Sequence, residues 1–213
     1  MQKKALGQLF LINKESAKTF IDSLEISPKD SILEIGGGDG AISQFIAQKD
    51  YNRYLILEID PYYKNKLDKE FGHLSNTKVE LGNILHYDIK STDFNTVIGA
   101  IPYYITSPII HIILNDSENI AKFGLIIQKE VADKIATYLL NKELSYWSLI
   151  TFYYDIEIVG QFNSTDFNPP PKINSTALKF IRNEKRYSEF REIFGDSKIL
   201  SKFAHRVFLN PRK

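Results

Sequence analysis

The residues best placed to do chemistry lie in one run, Glu34-Ile35-Gly36-Gly37-Gly38-Asp39-Gly40, which holds four of the chain's eleven glycines. A loop so rich in glycine turns tightly and lets a ligand come close to the main chain. Gly36, Gly38 and Ala41 satisfy the loose dinucleotide spacing, although a tight strand-to-helix turn would give the same pattern. Charge sorts the candidate ligands. Nucleotide phosphates seek amide-rich loops without carboxylates, whereas Glu34 precedes these glycines and Asp39 lies among them. No Gly-Lys-Ser/Thr phosphate loop follows. A cofactor with an adenosine, no phosphate and a positive centre suits the acids better. S-adenosylmethionine, with its sulfonium and ammonium groups, fits that description. Glu58-Ile59-Asp60 adds a carboxylate 22 positions after Gly36, and Glu58 is the candidate acceptor for both ribose hydroxyls. An exposed acid closing a strand is the plainer reading of Glu58. Its occurrence together with the loop favours the ribose role.

These groups need a scaffold, and the apolar pattern supplies one. Short apolar runs predict strands at Ser31–Ile35, Tyr54–Ile59, Lys78–Leu81, Thr96–Ile101, Phe123–Gln128, Leu149–Val159 and Thr176–Ile181. Helical spacing predicts helices at Asn13–Leu24, Ala41–Gln48, Pro61–Phe71, Ser107–Leu114 and Lys129–Leu140. The alternation implies an α/β fold, a doubly wound, Rossmann-like and mostly parallel sheet with helices on both faces. Two strand-like runs flank Phe167-Asn168-Pro169-Pro170-Pro171, so a hairpin with one antiparallel edge strand is expected late in the chain. A further helical stretch, Ser188–Phe208, precedes Pro211-Arg212-Lys213.

The chain has 213 residues, 43% of them hydrophobic and 25% charged, which excludes a mostly disordered protein. It contains no apolar run long enough to span a bilayer and no apolar signal core near Met1. Cysteine is absent, which excludes disulfides, thiolate catalysis and cysteine-bound zinc and points to a reducing, cytoplasmic setting. His73, His86, His111 and His205 lack ligand spacing, so no metal is assigned. Residues 181–213 carry nine Lys/Arg against four Asp/Glu, while residues 1–180 carry 18 against 22. A basic end on a mildly acidic body is consistent with the edge of a nucleic-acid surface, and equally with a solvated basic helix.

Several separate motifs, in one order, resemble the ribosomal RNA adenine dimethyltransferases of the KsgA and erythromycin-resistance (Erm) type. They are Gly7-Gln8-Leu9-Phe10-Leu11, the glycine loop, Glu58-Ile59-Asp60, Ile101-Pro102-Tyr103-Tyr104-Ile105-Thr106-Ser107-Pro108, Gln128-Lys129-Glu130-Val131-Ala132 and Phe167-Asn168-Pro169-Pro170-Pro171-Lys172-Ile173-Asn174-Ser175. The Gln-Lys-Glu-Val-Ala run favours the small-subunit, KsgA-like branch. The resemblance implies a methyltransferase domain over residues 1–180 and, from 181 to 213, the start of a basic helical appendage that is cut short. It implies S-adenosylmethionine as cofactor, held by Leu9, Leu11, Gly36, Gly38, Glu58, Asn83 and Ala100. It implies ribosomal RNA of the small subunit as partner. Methyl transfer to the exocyclic amine of adenosine would occur at Ala100, Ile101, Pro102 and Tyr103. Phe167 would offer a second ring opposite Tyr103. For both rings ordinary core packing is the plainer alternative.

Three positions depart from the family pattern. Leu9 stands where the family has Asn or His, and Asn83 where it has Asp at the end of the third strand. Ala100 stands where it has the asparagine that orients the target amine. Alanine offers a backbone carbonyl and no side-chain acceptor, and by analogy with an oxyanion-hole deletion the loss is roughly 10²–10³-fold in rate. An inactive RNA-binding or ribosome-assembly paralogue on the same fold is therefore the rival to an enzyme. A nicotinamide-dependent enzyme is a distant third.

Overall fold

A computed structural model describes residues 8–116, 118–141 and 150–194. Its strands are β1 (Phe10–Leu11), β2 (Ser31–Ile35), β3 (Arg53–Glu58), β4 (Thr77–Leu81), β5 (Thr96–Ala100), β6 (Lys122–Gln128), β7 (Tyr154–Phe162), β8 (Phe167–Asn168) and β9 (Ser175–Arg182). Its helices are α1 (Lys14–Ser23), α2 (Ser43–Ile46), α3 (Pro61–Phe71), α4 (Thr106–Asp116), α5 (Lys129–Asn141), α6 (Ile150–Tyr153) and α7 (Glu184–Phe194). Seven strands form one sheet in the order β4-β3-β2-β5-β6-β9-β7, and β1 pairs with β8 in a second, two-stranded sheet.

Strand alternation divides the core between two faces. Leu33, Val97, Leu125 and Leu178 meet the cluster that includes Ile109, Ile113 and Ile135. Ile32, Ile56, Ile98 and Ile126 face the other way, onto Phe20, Ile21, Ile46 and Leu67. Helices start where the sequence offers caps. Asn13 accepts from the Ser16 N–H, and Asp60 accepts from the Tyr62 N–H just ahead of Pro61 at the first helical position.

The parallel order reverses at β2: β3 and β4 lie on one side, β5 and β6 on the other. A crevice opens beyond the carboxyl ends of strands at such a switch point. Two differences from expectation sit at the far side of the sheet. The antiparallel strand is β9, which lies one place in from the edge because its hairpin partner β7 covers its outer side. The apolar run expected to be strand from Leu149 begins instead with the helical turn α6 and becomes strand at Tyr154. Helix α7 packs back on α6, with Phe152 and Phe190 ring centres 4.6 Å apart. The remainder of the helix expected over Ser188–Phe208 lies outside the described residues beyond Phe194.

Glu34 sits mid-sheet, 1% exposed. Its carboxyl accepts from the Ser43 hydroxyl at 2.8 Å and from the Tyr54 hydroxyl. Burial pushes its pKa up to about 7, against the two hydroxyl donors, and the nearby Glu58 charge pushes the same way. The neutral form is thus favoured by folding. This contribution is complete below the ordinary value of 4.5 and is lost as the pH rises through about 7. Glu34→Gln, which cannot ionise, is predicted to gain several degrees of Tm relative to the parent between pH 5 and pH 8. Thermal melts at the two pH values check this; a constant difference would refute it.

Candidate functional site

The crevice at the switch point is lined from six directions. The N-terminal arm supplies Gln8, Leu9 and Phe10; the turn after β2 supplies Gly36 and Gly38; β3 ends in Glu58 and Ile59. The turn after β4 supplies Gly82, Asn83, Ile84 and Leu85, and the turn after β5 supplies Ala100, Ile101, Pro102, Tyr103 and Tyr104. Phe167 and Ser175 close it from the hairpin side. The cleft encloses about 320 Å³, within the range of small-molecule sites, and its walls are mostly apolar with few polar groups, as such sites usually are.

The arm reaches the cleft because β1 pairs antiparallel with β8, setting Phe10 opposite Asn168 and Leu11 opposite Phe167. The Ile12 N–H donates to the Asp166 carbonyl at 2.8 Å, and the Asn13 amide donates to the Asp166 carboxylate at 2.9 Å. That small sheet carries Leu9 and Phe10 over the sheet's carboxyl ends.

Glu58 is the polar centre. One carboxylate oxygen accepts from the Gly38 N–H at 2.9 Å and the other from the Asp60 N–H at 2.8 Å. The side chain is buried. An ionised carboxylate accepts at about four lone-pair sites, and the two backbone donors leave places for two more. A vicinal diol would fill them. Gly36 (φ +73°) has nothing within 4 Å of where a Cβ would stand, so the loop leaves ligand space there. Asn83 caps the turn after β4, its carboxamide oxygen accepting from the Leu85 N–H at 3.0 Å. The NH₂ is what remains for a ligand, a donor suited to a ring nitrogen of adenine. Apolar Ile59 and Leu85 flank it along the wall. These residues fit a nucleoside that carries no phosphate.

The structure corrects part of the charge argument. Glu34 does not face the crevice; it occupies the same strand face as Ile32 and is held in the core by Tyr54 and Ser43. Asp39 is half exposed and paired with Lys66 at 2.7 Å. Neither lines the cleft among the described residues, so Glu58 alone brings a carboxylate to it. Leu11 also turns away, buried against Ala17 and Phe20; in a two-residue strand one side chain must point opposite to the other, and Phe10 takes the cleft. Leu9, Gly36, Gly38, Glu58, Asn83 and Ala100 all line it, and so do Ile101, Pro102, Tyr103 and Phe167.

Ala100 ends β5, opposite Ile126, and is partly buried. Pro102 (φ −57°, ψ 138°) turns the chain out of the strand, and its carbonyl accepts from the Ile105 N–H at 3.1 Å. Tyr103 is half-buried, with its hydroxyl bound to the hairpin. Phe167 is buried, 6.1 Å centre to centre from Phe162. Phe10, Ile35, Leu57, Ile59, Tyr104 and Ser175 also line the cleft without having been singled out by sequence. Their common signal is position: each lies in or beside the arm, at the end of a strand, or in the turn that follows.

Comparison with known proteins agrees with this architecture. Residues 1–197 match the family model described as Ribosomal RNA adenine dimethylase. The chain is 31% identical over 206 residues to a probable ribosomal RNA small subunit methyltransferase A of Methanococcus maripaludis, covering 96% of this chain and 77% of that one. It is 31% identical to the ribosomal RNA small subunit methyltransferase A of Mycoplasmopsis pulmonis, covering 99% and 83%. A dimethyladenosine transferase from Plasmodium falciparum shares the fold, with a TM-score of 0.79 at 22% identity over 96% of this chain and 72% of that one. No helix among the described residues is long and apolar enough to cross a membrane.

Gly38 (φ +52°) tests the loop. An added Cβ would stand 3.3 Å from the Phe10 ring as well as forcing a left-handed backbone on a side chain. Gly38→Ala is predicted to lose about 1–2 kcal/mol of stability. Urea unfolding measures this, and an unchanged midpoint would refute the strain.

Proposed function

The chain belongs to the ribosomal RNA adenine dimethylase family, and on that premise we propose that it transfers methyl groups from S-adenosylmethionine to the exocyclic amine of an adenosine in small-subunit ribosomal RNA. The observation that carries the cofactor assignment is the buried Glu58 carboxylate, held open by two backbone N–H groups at the switch point. S-adenosylmethionine, when bound, supplies a methyl group activated by its sulfonium. Glu58 binds the ribose diol, Asn83 meets the adenine, and Gly36 and Gly38 let the donor lie against the main chain. The single carboxylate disfavours a pyrophosphate at the same place. We take residues 1–180 as the methyltransferase unit, the basic run beyond it as contributing to RNA contact, and the cytoplasm as the place of action.

On the substrate side, an adenine amine is a poor nucleophile because its lone pair is delocalised into the ring. A backbone carbonyl ahead of Pro102, which has no N–H, accepts a hydrogen bond from one of the amine's N–H groups and favours the pyramidal amine. The Tyr103 ring meets the extruded base face to face, and Phe167 closes the opposite wall. The apolar walls exclude water from the transfer.

Ala100 supports a second reading. Its methyl lines the cleft where a polar side chain would accept the amine's other hydrogen, so the same pocket suits a protein that binds cofactor and RNA and turns over little. A methyl-transfer assay on small-subunit RNA separates the two. The parent is predicted to methylate slowly, and Ala100→Asn to raise the rate roughly 10²–10³-fold. No transfer by either protein, with S-adenosylmethionine bound to both, would establish the non-catalytic reading. No binding of S-adenosylmethionine would overturn both.

A further inference from the structure

Stacking on a base needs only an aromatic face, which phenylalanine supplies as well as tyrosine. The cleft nevertheless has Tyr103, and its hydroxyl is engaged. It lies 2.8 Å from the Ser175 hydroxyl and donates toward the Ile173 carbonyl at 3.4 Å. Ser175 is 1% exposed. It is the first residue of β9, set between Gln128 of β6 and Phe162 of β7. The segment ahead of it is fixed at both ends of its neighbour: the Asn174 carbonyl accepts from the Lys129 N–H at 2.9 Å, and its side chain accepts from the Ser164 N–H at 3.2 Å. The far end of the Tyr103 ring is therefore tied to a strand that is paired on both sides. Its near end hangs on the short turn after Pro102.

We propose that Ser175 is a positioning residue: its hydrogen bond to the Tyr103 hydroxyl fixes where that ring stands in the cleft and so where an incoming base meets it. This rests on the base-stacking role given to Tyr103 above. A tyrosine side chain swings about its Cα–Cβ bond, and a turn of a few residues does not fix that torsion. A second anchor at the para position does, leaving the ring preorganised before RNA arrives. The tether also couples the turn after β5 to the hairpin that carries Phe167, so the two aromatic walls of the cleft keep their separation. Ser175 acts through Tyr103 and needs no contact with substrate.

The test reads stacking without requiring turnover. A short single-stranded RNA carrying 2-aminopurine in place of one adenosine is titrated with protein in the presence of S-adenosylhomocysteine, and fluorescence quenching reports the stacked base. The parent is predicted to quench. Ser175→Ala and Tyr103→Phe are each predicted to weaken the quenched complex about tenfold, the scale of one lost hydrogen bond, and the double variant no further than either. Affinity for S-adenosylhomocysteine, measured by calorimetry, should stay within twofold in all four proteins. Unchanged quenching in Ser175→Ala, additive losses in the double variant, or a parallel fall in cofactor affinity would each overturn the positioning role. A parent that binds cofactor but does not quench would overturn the stacking on which it rests. A parent that binds no cofactor would overturn the functional reading itself.

Discussion

A buried carboxylate at the carboxyl end of a parallel strand, accepting from two backbone N–H groups, is the constraint around which the rest of the site is arranged. Glu58 cannot be left in that position unpaired, because burying an uncompensated charge costs several kcal/mol. The Gly38 and Asp60 amides compensate it at 2.9 and 2.8 Å. Making the first of those bonds requires the loop after β2 to curl back with positive φ at Gly36, Gly38 and Gly40, which is what the run of glycines allows. Making the second places Asp60 to cap α3. One side chain thus ties the glycine loop, the third strand and the following helix into a single rigid rim.

Behind that rim lies a second acid with the opposite fate. Glu34 is only four positions before Gly38, yet it is turned into the core and its pKa is raised to about 7. Two carboxylates so close would repel if both were charged. Burial keeps Glu34 largely neutral over the acidic half of the range, which relieves that repulsion. The hydroxyls of Tyr54 and Ser43 make Glu34 a brace between β2, β3 and α2.

Much of this was legible in the sequence. Ser31–Ile35 and Pro61–Phe71 have the expected bounds, because a short apolar run ahead of glycines and a capped, proline-led helix are strong local signals. Glu58, Gly36 and Gly38, picked out by residue type at strand ends, and Asn83, picked out by resemblance, all line the cleft. Glu34, and the side chain of Leu11 that resemblance put beside the cofactor, both lie in the core. Spacing says that a residue is near a site, and only strand alternation says which way its side chain points. Ile32 and Glu34 share a face by that rule, which already places Glu34 with the core. The helical turn at Ile150–Tyr153 was hidden because an unbroken apolar run has neither period. The bond between Tyr103 and Ser175 spans 72 positions, and no local pattern could have announced it.

The central claim is that the crevice accepts a phosphate-free adenosyl sulfonium through Glu58. A crystal structure of the chain soaked with S-adenosylmethionine tests this most directly. The account requires the ribose hydroxyls on the two Glu58 oxygens and the methyl group directed toward Ala100 and Tyr103. An empty cleft at saturating ligand, or a diphosphate from a competing nucleotide resting on the glycine turn, would contradict it.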